Sequence, residues 1–81
     1  MKKDYEERII AKGLMPPGPL LLVQKKLATT NAERMRIIVS NREAADELEA
    51  FFSQRGMKTE IDRAGDTFHV VADLSRSGKE E

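Results

Sequence analysis

Three prolines within four positions, Pro16, Pro17 and Pro19, constrain this chain more than any other feature. Proline holds φ at about −65° and offers no N–H, so the segment is excluded from a central strand. It is tolerated in a first helical turn, where the lost N–H has no intrahelical partner. The run Gly13-Leu14-Met15-Pro16-Pro17-Gly18-Pro19, followed by Leu20-Leu21-Leu22-Val23-Gln24-Lys25-Lys26-Leu27, therefore predicts a rigid turn entering a helix over about residues 17–29. Leu20, Val23 and Leu27, with Leu21 and Ala28 beside them, have the spacing of a buried stripe, and Gln24, Lys25 and Lys26 fall on the solvated side.

The rest of the chain alternates strand and helix signals around this helix. Arg8-Ile9-Ile10-Ala11 is β-branched and closed by Gly13, and reads as a first strand; Met35–Val39 reads as the second, after a connection at Thr29–Ala32. Ser40-Asn41-Arg42-Glu43 has the pattern of a capping box, in which Ser40 accepts from Glu43 N–H and the Glu43 carboxylate reaches back to Ser40. A second helix continues to about Arg55 with Ala44, Leu48, Phe51 and Phe52 inward, and Gly56 suits a left-handed closing position. Met57–Ile61 and Thr67–Leu74 read as a hairpin joined by Asp62-Arg63-Ala64-Gly65-Asp66.

The order β-α-β-α-β-β, with right-handed crossovers, predicts an α+β fold: a two-layer α/β sandwich whose mixed four-stranded sheet carries both helices on one face. Leu20, Val23, Leu27, Ile37, Val39, Leu48, Phe51 and Val70 are the expected common core. At 81 residues the chain reads as one small domain, residues 6–75, with a polar tail at 76–81. There is no cysteine, which excludes disulfides and thiolate metal sites. The longest apolar run, Leu20–Val23, is far too short for a bilayer, and Met1–Glu7 lacks the apolar stretch of a signal peptide, so the cytoplasm is the default location.

The proline segment resembles that of the TusA/SirA-like sulfur-carrier family, whose members read Gly-Leu-x-Cys-Pro-x-Pro before an apolar helix bearing a lysine. Gly13, Leu14, Pro17, Pro19, Val23 and Lys25 fall on the family's positions. The resemblance extends over about residues 8–74: Glu47-Leu48 stands where the family often has Asp-Ile, Phe51 on its aromatic and Gly56 on its glycine. It implies the same two-layer fold. It also places the family's persulfide-carrying cysteine on Pro16, where no side chain can ionise or hold sulfur; Met15 beside it is a thioether. In the family a helix N-terminus favours the thiolate, so the frame is present and its nucleophile is not.

The expectation is accordingly a non-enzymatic domain without metal or cofactor, acting as a protein-binding or regulatory module. Its partner is expected to be a sulfurtransferase or another sulfur-pathway or redox protein, met through Met15, Pro16, Pro17, Gly18, Pro19 and Lys25. Met15 suits either an exposed, adaptable contact or a plug in the core. Anion binding at the helix start would have to use the N–H groups of Gly18, Leu20 and Leu21.

Charge offers the alternative. Residues 8–42 hold seven basic residues, Arg8, Lys12, Lys25, Lys26, Arg34, Arg36 and Arg42, against Glu33 alone, whereas residues 43–81 hold ten acidic and five basic ones. Either the halves face and neutralise one another, or Lys26, Arg34, Arg36 and Arg42 form a basic face. That face would meet an acidic protein or RNA, the latter because the fold resembles the C-terminal domain of translation initiation factor three. Stacking platforms are few, since Tyr5, Phe51, Phe52 and Phe68 are the only aromatics. His69 is the sole histidine and any metal site would need Asp62, Asp66 or Asp73 beside it, so a structural role is expected. Asp46 and Glu49 belong to the solvated side of the second helix rather than to acid–base chemistry.

Overall fold

In the computed structural model, which describes residues 5–74, the elements run β1 (Glu6–Ile10), α1 (Gly18–Leu27), β2 (Arg34–Val39), α2 (Arg42–Gln54), β3 (Thr59–Ala64) and β4 (Thr67–Asp73). The sheet order is β1-β2-β4-β3, with β1 parallel to β2 and β4 antiparallel to both its neighbours. This is the mixed four-stranded α+β arrangement expected from the element order. The polar segment 76–81 lies outside the described residues, as does Ser75.

The layers follow from the period of two along each strand. Met35, Ile37 and Val39 on β2, Val70 and Ala72 on β4 and Ile9 on β1 are buried, and form one core with Val23 of α1 and Ala44, Ala45, Leu48 and Phe52 of α2. Both helices therefore lie on one face, and the alternate residues Arg34, Arg36 and Ile38 look out from the other. Within the expected core, Val23, Ile37, Val39, Leu48 and Val70 are fully buried, while Leu20, Leu27 and Phe51 pack only at its margin. Phe51 sits edge-on to Phe52 at 5.3 Å and is covered by the Arg55 guanidinium at 4.6 Å. Ala28 lies beyond the end of α1 at Leu27, and Leu21 is exposed within it, so the helix presents a narrower buried stripe than its sequence suggests.

Several boundaries move for local reasons. The α2 cap is Asn41, whose side-chain oxygen accepts Ala44 N–H at 2.8 Å; the Ser40/Glu43 capping box does not form, since Ser40 is turned to Gly13. Asn and Ser cap equally well, so the position one residue on was an equally good choice chemically. At its other end α2 closes with Gly56 at φ +78°, Gly56 N–H donating to Ser53 O and Met57 N–H to Phe52 O. This Schellman pattern takes Met57 into the helix end and delays β3 to Thr59. β3 in turn runs on to Ala64, and the hairpin loop is only Gly65-Asp66, with Gly65 at φ +63° as a tight hairpin turn requires. β3 is an outer strand, so its polar Asp62 and Arg63 face water while still pairing with His69 and Phe68.

Candidate functional site

The proline segment lies where the parallel strands β1 and β2 end. Ala11 N–H donates to Ile38 O at 2.8 Å, which brings the two strand ends side by side. The chain then reverses through Gly13 at φ +84°, with Leu14 N–H returning to Ala11 O at 3.3 Å. Gly13 N–H is received by the Ser40 hydroxyl at 2.8 Å, so the loop leaving β1 is tied to the loop leaving β2. Asn41 adds a second tie, its amide nitrogen lying 3.7 Å from Met15 Sδ.

From Met15 the backbone passes directly into α1. Gly18 N–H donates to Met15 O at 2.8 Å and Leu21 N–H to Pro17 O at 3.0 Å. The Pro16–Pro17 peptide bond is cis, and Pro19 is fully buried under the first turn. A Cβ on Gly18 would stand 3.3 Å from Leu14 Cβ, a tight approach that makes glycine the easiest residue there. Outward, the segment offers an apolar surface: Met15 is 62% exposed, and Leu14 and Leu21 are exposed with it. Met15 is thus exposed and not a core plug.

Two further consequences bear on chemistry. Because Gly18 and Leu21 spend their N–H groups on protein carbonyls and Pro17 and Pro19 have none, Leu20 alone is left in the first turn to face an anion. A one-donor site is a poor anion holder. Lys25 sits seven residues along α1 from Gly18, about 10 Å up the helix axis, so it flanks the loop rather than joining it.

The basic residues do not assemble into one face. Arg34 and Arg36 point from β2 to the helix-free side of the sheet, where Glu6 takes both, at 3.4 Å and 3.0 Å. Lys26 lies on the helix side, 3.6 Å from Glu7, and Arg42 pairs with Asp46 at 3.0 Å at the start of α2. Strand periodicity separates what the linear charge count groups together. Nor do the two halves of the chain neutralise each other in the main: Glu6 and Glu7, from the first strand, take most of these cations. The Arg36 hydrogen bond holds the Glu6 carboxyl below its ordinary value, helped by Arg34, against an opposing burial effect. Hydrogen bonds from Tyr5 and Thr30 do the same for Glu7, with Lys26 adding to them.

His69 accepts from Arg36 through Nδ1 at 3.1 Å; since guanidinium only donates, this needs the tautomer protonated on Nε2. Among the described residues no three His, Asp or Glu side chains converge as metal ligands. No helix there is long and apolar enough to cross a membrane. Phe52 is buried, Phe51 and Phe68 are half-buried, and only Tyr5 is an exposed ring, which leaves little for base stacking. Ser40 and Asn41, which fix the loop, were legible only as capping residues; the sequence carries no mark of their cross-loop partners.

The profile of the family described as sulfurtransferase TusA matches residues 7–72. Among solved structures, the SirA-like protein of Desulfitobacterium hafniense superposes with a TM-score of 0.74 at 19% identity, over 85% of this chain and 96% of that one. At that identity the likeness establishes the fold. A search of curated proteins finds no significant match.

Proposed function

From the premise that the chain belongs to the TusA sulfurtransferase family, yet has proline where that family carries its cysteine, we propose that it is a non-catalytic protein-binding or regulatory member. The observation that carries this reading is a retained frame around Pro16. Gly13 in its turn and the buried Pro19, both on the family's motif positions, are held in place, with the Ser40 tie and the close Gly18 approach supporting them, in a chain with no cysteine. Sulfur relay needs a thiolate, and none is available.

The retained frame presents Leu14, Met15 and Leu21 as an apolar surface beside Pro16 and Pro17. Such a surface suits a partner shaped for the family's loop: a sulfurtransferase, a desulfurase or another sulfur-pathway protein in the cytoplasm. The protein then acts by occupancy, holding a partner or keeping it from a cysteine-bearing homologue.

The test has two arms. After incubation with a cysteine desulfurase and cysteine, mass spectrometry should find no added sulfur on the wild type, while Pro16→Cys gains it, its thiolate favoured by the helix start. In the second arm, excess wild-type protein should slow sulfur loading of a cysteine-bearing TusA homologue by its donor, and Met15→Asp should not. Sulfur on the wild type, or undiminished loading at saturating wild-type protein, would overturn the proposal.

A further inference from the structure

A second surface lies along the free edge of β1, on the side away from β2. β1 is an outer strand of the sheet, and its pairing with β2 uses alternate residues. Because Ala11 N–H is directed to Ile38 O, the alternation of a strand turns the N–H and C=O groups of Glu6, Arg8 and Ile10 outward to the open edge. Beside this edge, between β1 and α1, runs a groove of about 450 Å³ lined by Ile9, Leu22, Lys25, Lys26 and Thr29. Its floor is apolar and its rim cationic. Lys26 shares Glu7, but Lys25 has no ion pair among the described residues, and the exposed Lys12 stands just past the end of the strand; Arg8 lies on the opposite face of the sheet, where it shares Glu6 with Arg34 and Arg36.

We infer that this edge docks an extended acidic segment of a partner protein, added as a fifth strand to the sheet. The outward backbone groups supply pairing, the groove receives apolar side chains against Ile9 and Leu22, and the cationic rim selects acidic residues over basic ones. A helix would leave the edge groups of Glu6, Arg8 and Ile10 unpaired. A second copy of this chain, pairing β1 with β1, would bring two lysine-rimmed α1 helices to one seam, like charge against like. This docking is independent of the reading of the Met15–Pro19 loop, which lies at the strand ends.

The probe is a capped twelve-residue peptide of the repeat valine-threonine-glutamate-threonine, which puts valine and glutamate on one face of a strand, compared with one in which lysine replaces glutamate. Amide hydrogen exchange by NMR should show the valine–glutamate peptide protecting Glu6, Arg8 and Ile10, with the lysine peptide giving no protection. Arg8→Pro removes one outward N–H without touching a β2 bond, and proline is accepted on an edge strand in that orientation. It should bind the peptide roughly fivefold more weakly than Arg8→Ala, the loss of one backbone hydrogen bond beyond the loss of charge. Lys25→Glu, at an exposed helix position, should also weaken binding and tests the charge argument if Arg8→Pro does not fold. Equal binding of the lysine peptide would overturn the inference. So would protection centred on Gly13 and Leu20, equal affinity of Arg8→Pro and Arg8→Ala, or edge amides protected without peptide in proportion to protein concentration, which would assign the edge to a second copy.

Discussion

The shifted cap of α2 makes a sharp test, because two substitutions one residue apart should behave in opposite ways. Asn41→Ala removes the acceptor of Ala44 N–H at the start of a thirteen-residue helix that contributes Ala44, Ala45, Leu48 and Phe52 to the core. Replacing such a cap by alanine costs about 1 kcal/mol. In a domain of this size that lowers the melting temperature by roughly 4–8 °C. Ser40→Ala removes instead the acceptor of Gly13 N–H, an exposed bond whose donor can turn to water. Its cost should stay at or below about 0.5 kcal/mol, the low end for a hydrogen bond. The local effect is the reverse: Ser40→Ala should speed exchange of the Gly13 amide severalfold, and Asn41→Ala should leave that amide alone while loosening the first turn of α2. Urea unfolding gives the first comparison and NMR-detected exchange the second. A Ser40→Ala protein less stable than Asn41→Ala, with Gly13 unaffected, would restore the Ser40/Glu43 capping box and refute the geometry described.

Leu48→Ala, at a fully buried site of the core shared by the sheet and the helices, should lose about 2–5 kcal/mol in urea unfolding; a loss under 1 kcal/mol would show that the site collapses freely. Glu6 and Glu7 have folded values lowered from 4.5, so their stabilisation is in place above that pH and disappears as pH falls through the lower folded values. The urea midpoint should thus fall as the pH is taken below about 4.5, and Glu6→Gln should fall less steeply there; parallel curves would remove Glu6 from the account. Gly65→Ala places a side chain at φ +63° and should cost about 1–2 kcal/mol, measurable as a lower melting temperature.

What the sequence discloses here follows how strongly each element is buried. β2 is buried on alternate residues and its bounds were legible to within one residue, as was the inward set Ala44, Leu48 and Phe52 on α2. The two edge strands were less legible. β1 begins at Glu6 and β3 continues through Asp62 and Arg63, because an outer strand with one wet face carries charges that break the apolar pattern. The sequence marks Met35 as strand without marking it as core, although it is fully buried. At the site, the turn and helix start could be derived from proline chemistry alone. The ties from Ser40 and Asn41 could not, since they join residues 26 and 27 apart and depend on β1 and β2 ending side by side.

That arrangement bears on why a loop without its nucleophile keeps its form. The Met15–Pro19 segment is held at four separate places: Ala11 to Ile38 across the strands, Leu14 back to Ala11, Gly13 to Ser40, and Gly18 to Met15. None of these bonds involves the side chain at position 16. A cysteine there would contribute chemistry without contributing to the turn, and a proline can take its place while every tie remains. The side chains that do reach solvent, Leu14, Met15 and Leu21, are apolar and lie on a backbone that has little freedom left to lose on binding. A partner that closes on this loop need not order it first, so its apolar contacts count more fully toward affinity. Under the proposed binding role, an apolar loop on so fixed a backbone needs no reacting atom, and the same backbone is what Pro16→Cys would need in order to load sulfur without rebuilding the site.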